Sequence, residues 1–346
     1  MTLPDRPGSL RERDGADVVE VSKRLHAAGM TDGLPVVPPT VERVEAMLHA
    51  RDPKRVIETL PPLFREVTVE DVAICAVLAG CGPEHMPALL AATRAVAAPE
   101  FNLLGVTTTT GTTAVGMVLH GPYAEAVGAG SGTNCLGPGN WSNAVLGRAL
   151  ALVLRAAAGA APGIVDMSTM GQPAKYGFCF AESSVAALPP VPLPTAGGVG
   201  AVTVFASSGT VEVVDSHSVD PLGLLETLAS AMPTPGTLHA ERGRLGSGHP
   251  VVVIPPEWAQ RLAGAGLSRM DITSFLHRES TIPIERLAAA QRDAVTDDVR
   301  ACGRIGTVDS PDSILLVVAG GIGTKATYIP TWQGGSLPCT RTITDD

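Results

Sequence analysis

The sequence predicts an α/β or α+β fold, in which a mixed sheet has flanking helices and follows a helical N-terminal region. Two observations predict it. The first hundred residues carry one helix signal after another. Beyond Pro99, short runs of valine, leucine and isoleucine each end in glycine, serine or threonine. Strands and helices in such an order are typical of mixed α/β architectures.

Four helices are predicted in the N-terminal region. The first covers 17–28 and carries apolar residues on one face. Thr40 can cap the second helix. Thr68 and Asp71 have the spacing of a capping box before the third. Pro83 suits the first turn of the fourth.

Strand-length apolar runs dominate the rest of the chain. They read FNLLGV, AVGMVLH, AVTVFA, HPVVVI and SILLVVA, with YGFCF as a further candidate. Helices are expected between them near 140–158, 221–232, 256–264 and 269–278.

The chain is expected to divide into an arm and two lobes. Residues 1–14 are polar and predict a flexible arm. A lobe of helices and α/β structure covers 15–190, and a second α/β lobe covers 200–346. The proline-rich stretch 188–200 is the most linker-like. We expect the two lobes to share one core and one site.

Composition restricts the function classes. Of the 346 residues, 45% are hydrophobic and 3% aromatic, so alanine, valine and leucine must fill the core. A net charge of -9 without a basic run argues against nucleic acid and membrane surfaces as partners. No apolar stretch reaches the roughly 20 residues of a membrane span, and the N-terminus lacks an apolar signal core. We therefore expect a cytoplasmic protein with six free thiols.

A glycine-rich loop, GAGSGTNCLGPGN, directly precedes an apolar helix. It is neither a dinucleotide fingerprint, since Thr133 replaces the third glycine, nor a P-loop, since Pro138 and Gly139 replace its lysine and hydroxyl residue. A capped helix start favours an anion. A ligand-binding loop and a purely structural turn both stay open. The loop's candidate substrate-binding residues are Ser131, Thr133, Asn134, Asn140 and Asn143.

Two further segments are candidate walls of the same site. In GGIGTK, Thr324 and Lys325 follow a buried strand, and the lysine either reaches an anionic group or is solvated. In TTTTGTT, Thr108 and Thr109 either present hydroxyls to a polar substrate or form an edge ladder. His120, after an apolar strand, is more typical of a core or edge histidine.

The candidate catalytic residues lie in KYGFCFAE. They are Lys175, Tyr176, Cys179 and Glu182. A thiol near a lysine can be activated by a lowered pKa, and a carboxylate can transfer protons. In a strand, Cys179 faces away from the aromatic residues. The other interpretation is that Cys179 is a small core residue.

Four stretches carry a family resemblance: TDGLPVVPPTVERVEAML, LGPGNWSNAVLGRALALVL, KYGFCFAES and VVAGGIGTKATYIPT. Together they resemble an uncharacterised bacterial family associated with UGSC-motif selenoproteins, over roughly 20–340. The resemblance implies a conserved small-molecule site. The UGSC signature is absent, since the C-terminal GGSLPCTRTITDD has only Cys339. Any such redox domain must therefore be a separate protein.

We expect an enzyme that acts on a small, polar, anionic metabolite. The reaction would be a lyase reaction at a carbon–heteroatom bond or a thiol-linked redox reaction. The alternative is a non-catalytic substrate-binding or scaffold subunit for a separate thiol or selenol redox protein. A metal-dependent enzyme using His120, His217, Glu182 or cysteine residues is a third hypothesis, although no metal motif is present. No motif specifies a cofactor, and a homo-oligomer is compatible with the alanine-rich helices.

Overall fold

The computed structural model describes residues 17–184, 187–192, 199–239, 244–245 and 248–344, with Pro7, Glu12 and Gly15. The α-helices are α1 Val18–Ala27, α2 Val41–Leu48, α3 Val69–Ala79, α4 Met86–Val96, α5 Leu103–Thr108, α6 Pro122–Ala126, α7 Trp141–Leu152, α8 Pro221–Ala231, α9 Pro256–Gly264, α10 Arg269–Glu279, α11 Ala289–Asp293 and α12 Asp297–Cys302. The strands are β1 Val56–Leu60, β2 Arg65–Thr68, β3 Ala114–His120, β4 Cys179–Ala181, β5 Gly200–Ser207, β6 Val211–Val214, β7 Leu238–His239, β8 Arg244–Leu245, β9 Val251–Ile254, β10 Thr281–Pro283, β11 Arg304–Gly306, β12 Leu315–Val318, β13 Lys325–Ile329 and β14 Cys339–Ile343. The predicted arm and part of the predicted linker lie outside the described residues.

Two four-stranded mixed sheets occupy the centre of the molecule. Sheet I has the strand order β14-β5-β3-β4, and β3 runs parallel to β4. Sheet II has the order β12-β9-β13-β6, and β12 runs parallel to β9. The other pairs within both sheets are antiparallel. With helices packed around these sheets, the predicted mixed α/β class is confirmed.

The two sheets pack face to face, and helices cover their outer faces. In β5, Val202 and Val204 face the N-terminal helices, whereas Phe205 faces sheet II. In β9, Val251 faces sheet I, whereas Val252 packs on α8, α9 and α10. Strand alternation thus produces four layers, in the order helix, sheet, sheet, helix.

Local signals placed the N-terminal helices correctly. The Thr68 side chain accepts from the Asp71 amide, and the Asp71 carboxylate accepts from the Thr68 amide, so the predicted capping box before α3 is confirmed. Thr40 caps α2 as predicted. The strand predicted over FNLLGV is wrong. Residues 103–106 of this run belong to helix α5, because the Asn102 side chain accepts from the Gly105 amide and starts a helical turn there.

Helix α7 packs directly on the chain that enters β4. A Cβ atom at Gly147 would lie 2.7 Å from the Phe178 nitrogen, and one at Gly177 would lie 2.6 Å from the Arg148 nitrogen. Only glycine permits this approach of the two backbones. After Leu152 the helix continues as a π-helical turn, Val153–Ala157.

The cysteines and the helix lengths bear on two further expectations. All six cysteines are free, as predicted. Within the part of the chain that the structure describes, no helix has both the length and the apolar character needed to cross a bilayer.

Candidate functional site

A chain of hydrogen bonds crosses the inner face of sheet I, with one residue from each strand or its end. Thr340 Oγ1 lies 2.8 Å from Thr203 Oγ1. Thr203 Oγ1 lies 2.9 Å from His120 Nε2. His120 Nδ1 lies 2.8 Å from Glu182 Oε2. We call these four residues the polar relay.

Strand alternation directs the relay between the sheets. Three relay residues lie on β3 and β5 or directly after β4. Each is two positions from an apolar residue in the layer between the two sheets. The pairs are His120 with Val118, Glu182 with Phe180, and Thr203 with Phe205. The register of β14 against β5 places Thr340 opposite Thr203.

Arg269, the first residue of α10, anchors the carboxylate end of the relay. Its Nη2 lies 2.8 Å from Glu182 Oε1. Its other nitrogens donate to the carbonyl oxygens of Pro189, at 2.6 Å, and Leu316. The Val191 amide donates to Glu182 as well, at 3.2 Å. Burial lowers the pKa of Arg269, and the adjacent carboxylate opposes that shift. The contacts keep a buried carboxylate paired and fixed.

The hydroxyl end of the relay meets a cavity between the two sheets. The cavity has a volume of about 420 Å³, and Thr203, Thr340 and Arg269 contribute to its lining. His249 also lines it, and burial lowers the pKa of that imidazole below its ordinary value. Leu316 supplies part of the apolar wall.

Hydrogen-bonding rules assign a direction to the relay. A carboxylate only accepts, so Glu182 takes the Nδ1–H of His120, and in the neutral imidazole Nε2 is then the acceptor. Thr203 then donates its proton to Nε2. The protons are assigned from this network. The result is an imidazole base, oriented by a carboxylate and bonded to a hydroxyl that lines a cavity.

The predicted catalytic segment is divided between two places. Glu182 belongs to the relay, whereas Lys175 lies before β4, in a 3-10 turn. Lys175 Nζ bonds to Asp166 Oδ2 at 2.5 Å and to Ser168 Oγ at 2.6 Å. Tyr176 is 52% exposed beside it. Because β4 separates Lys175 from Glu182, they do not form one site.

The structure supports the second interpretation of Cys179, that of a small core residue, over that of an activated thiol. Cys179 is buried and packs with the helices on the outer face of sheet I, opposite to Phe178 and Phe180 as the alternation predicted. Burial raises the pKa of the thiol far above its ordinary value. A thiolate there would lack solvation, so the buried Cys179 is a core residue.

The glycine-rich loop uses its amide side chains to hold its own backbone. Asn140 caps α7 as predicted, accepting from the Asn143 amide at 2.9 Å, and donates to the Gly128 carbonyl at 3.0 Å. Asn143 bonds to both the amide and the carbonyl of Gly130 and to the Cys135 carbonyl. These contacts are those of a structural turn, and a substrate-binding role for the loop stays a prediction.

The remaining loop residues are closely packed or turned to local partners. The Asn134 side chain donates to the Pro138 carbonyl at 2.5 Å. The Ser131 carbonyl accepts from the Gly320 amide at 2.7 Å, so the loop does meet the segment before β13. Thr133 packs so closely on Gly321 that a Cβ atom there would lie 2.3 Å from its hydroxyl.

The other predicted substrate-binding residues are dispersed. Thr108 donates to the Leu104 carbonyl at 2.7 Å, and the Thr109 hydroxyl accepts from the Gly111 amide at 3.0 Å. Lys325 is exposed at the start of β13, and the Thr324 hydroxyl lies 3.5 Å from Ser216 Oγ. None of these four side chains lines the cavity of the relay.

Sequence reasoning missed most of the relay. His120 was expected in a core or at an edge, and Thr203, Thr340 and Arg269 were not singled out. The sequence signal for Thr203 is its hydroxyl side chain in the middle of the apolar run AVTVFA. Among the residues described, no group of three or more histidine, cysteine, aspartate or glutamate side chains is placed to hold a metal ion. Comparisons of the sequence with protein-family models and with curated proteins gave no match.

Proposed function

We propose that the chain is an enzyme that acts on a small, polar, anionic metabolite in the cavity between the two sheets. One observation carries the proposal: the ordered contacts from Glu182 through His120 to Thr203 end at that cavity. A carboxylate, an imidazole and a hydroxyl in this order form a base able to activate the hydroxyl.

The chemistry we propose is proton abstraction followed by loss of a heteroatom group, a lyase reaction. Thr203 would give its proton to His120 Nε2 and take one from the substrate. Glu182 would stabilise the resulting imidazolium. The electron pair left on the substrate would expel the leaving group. A thiol-linked redox reaction is less favoured, because Cys179 is buried in another layer.

Arg269 supports the anionic character of the substrate. Among the described residues that line the cavity, it is the one lysine or arginine. Its contacts with Pro189, Leu316 and Glu182 use three of the five N–H groups of a guanidinium. Two N–H groups are left to meet a carboxylate or another anionic group of the substrate.

The test follows small polar metabolites by mass spectrometry after incubation of a metabolite extract with the purified chain. We expect one metabolite to be consumed by the wild type. The His120→Asn variant should act roughly 10²–10⁴-fold more slowly, the contribution typical of a positioned base. His217→Asn is the matched control, because His217 is exposed and outside the relay. Equal turnover by His120→Asn and the wild type would refute the assignment of the base.

A non-catalytic subunit is the second candidate function. One observation favours it: protein groups satisfy both nitrogens of His120, as in a purely structural network. The resemblance to the UGSC-associated family suggests a separate thiol or selenol redox protein as the partner. In that case the chain alone would turn over no metabolite, and turnover with the partner would not depend on His120.

A further inference from the structure

A second cavity lies at the opposite end of sheet I. It has a volume of about 640 Å³. Ala114, the first residue of β3, lines it, whereas His120, the last, belongs to the relay. The seven residues of β3 span roughly 20 Å at about 3.3 Å per residue. The second cavity is therefore separate from the proposed active site.

Most charges around this cavity are paired. Lys175 is neutralised by Asp166, at 2.5 Å. Asp32 receives Nε and Nη2 of Arg148 at 2.7 and 2.9 Å, a two-point contact. Arg155 is different. Its Nε donates to a backbone carbonyl at 3.2 Å, and no carboxylate of the described chain lies within 4.0 Å of it.

Arg155 is a half-buried cation without a counter-ion among the described residues. It lies on the π-helical turn that ends α7, where its side chain lines the cavity. Burial lowers the pKa of Arg155, and the more distant Asp32 and Asp166 oppose that shift. Desolvating a guanidinium without pairing it costs free energy, which a bound anion would offset.

A second observation points to a ligand in the same cavity. Thr113 also lines it and is 3% exposed. Its hydroxyl is buried and has no hydrogen-bond partner among the described residues. Buried polar atoms are nearly always bonded, so this hydroxyl keeps a hydrogen-bonding capacity that a water or a ligand in the cavity can satisfy.

The lining indicates the chemical class of the ligand. Leu152 and Leu154 form part of the apolar wall. Two larger side chains also line the cavity and are exposed, Met170 at 85% and Tyr176 at 52%. Arg155 is the one lining cation without a carboxylate partner in the part of the chain that the structure describes, and a single cation matches a single negative charge better than a phosphate dianion. The volume lies within the range of roughly 300–1,000 Å³ found for small-molecule sites.

We propose that this cavity binds a small organic monocarboxylate with an apolar body. Arg155 holds the carboxylate, Thr113 adds a hydrogen bond, and the leucine walls cover the apolar part. Lys175 and Asp166 form the neutral floor beside it. The site is a binding site in its own right and does not depend on the chemistry of the relay.

Binding is tested on the full-length chain with phenylacetate and octanoate, and with neutral phenylacetamide for comparison. Saturation-transfer NMR at millimolar concentration detects binding, and calorimetry gives the affinity. We expect the carboxylates to bind and the amide not to bind. Arg155→Gln should weaken phenylacetate roughly tenfold or more, the effect of losing a charged hydrogen bond. Arg286→Gln, an exposed arginine, is the matched control and should leave the affinity unchanged.

Further variants keep the test decisive. Thr113→Val preserves the shape of the side chain and should fold normally, while weakening phenylacetate severalfold. If Arg155→Gln does not fold, the affinity of Thr113→Val for phenylacetate tests the proposal instead. His120→Asn should bind phenylacetate like the wild type, which separates this proposal from the catalytic one. Absence of carboxylate binding, carboxylate binding that neither Arg155→Gln nor Thr113→Val weakens, or a preference for inorganic phosphate would overturn the proposal.

Discussion

Glu182 Oε2 lies 2.8 Å from Nδ1 of His120, although 62 positions separate the two residues in the chain. Strands β3 and β4 are parallel neighbours, with Leu119 opposite Ala181, so their carboxyl ends bring the two side chains together. Both are buried: the side chains are 2% and 4% exposed. The contact fixes the imidazole tautomer and thereby the role of its other nitrogen.

The first prediction concerns the carboxylate. Glu182→Gln keeps the shape of the side chain but removes its charge, which leaves Arg269 without its partner. We expect the free energy of unfolding to fall by about 3–5 kcal/mol. The ¹⁵N NMR spectrum of His120 should lose the pure Nδ1–H tautomer, because an amide can also donate. Glu212→Gln, on an exposed position of β6, is the control and should change neither quantity.

The second prediction separates the two hydroxyls of the relay. Thr203→Val leaves the buried His120 Nε2 without a hydrogen-bond donor. We expect the free energy of unfolding, measured by urea denaturation, to fall by about 1–3 kcal/mol. Thr340→Val removes only the outer hydrogen bond and should cost less. Turnover, once a substrate is found, should follow the same order. Equal effects of both variants would contradict the direction assigned to the relay.

Helix caps and strand alternation could be predicted from the sequence, because they depend on residues close together in the chain. Caps such as Thr68 with Asp71, and Asn140 before α7, involve side chains within three residues of their targets. The alternation that turns Cys179 away from Phe180 is likewise a local property. The error at α5 has the same origin, because a short apolar run fits a strand or a buried helix and Asn102 decides between them.

The candidate site was not readable, because it depends on strand pairing. Lys175 and Glu182 are near in sequence and were assigned to one site, but β4 carries them to opposite ends of sheet I. His120 and Thr203 are 83 positions apart and meet only through the register of β3 against β5. No periodicity or motif encodes that register.

The third prediction tests the position of Cys179. With alkylation followed by mass spectrometry on the native protein, Cys179 should stay unmodified up to alkaline pH, because burial raises its pKa and excludes the reagent. Cys302 is exposed and should be modified readily. Cys179 should react only after unfolding in urea. Fast labelling near neutral pH would restore the thiol hypothesis.

The fourth prediction assigns a structural role to Asn143. Its side chain makes three hydrogen bonds to the glycine loop, which Asn143→Ala would leave partly unsatisfied. We expect a loss of about 2–4 kcal/mol of unfolding free energy, several times the net worth of one hydrogen bond. Lys325→Ala removes an exposed side chain at the end of the segment GGIGTK. It should leave the free energy of unfolding unchanged. If Lys325→Ala abolishes turnover in a folded protein, the predicted substrate-binding role of these loops is supported.

The fifth prediction concerns acid stability. Asp215 is buried, which alone would raise its pKa, but hydrogen bonds from Ser218, Thr227 and the His217 amide outweigh burial and hold the pKa well below its usual range. A depressed pKa stabilises the folded state above the unfolded value of about 3.9, and the contribution fades as the pH falls below that value. Asp215→Asn should therefore lower the free energy of unfolding by about 1–3 kcal/mol at pH 7. In urea denaturation, the difference in unfolding free energy between this variant and the wild type should shrink between about pH 5 and pH 2.

Asp312→Asn, at an exposed position, is the control and should show no such pH dependence. A difference for Asp215→Asn that stays constant with pH would mean that the charge of Asp215 contributes nothing to stability.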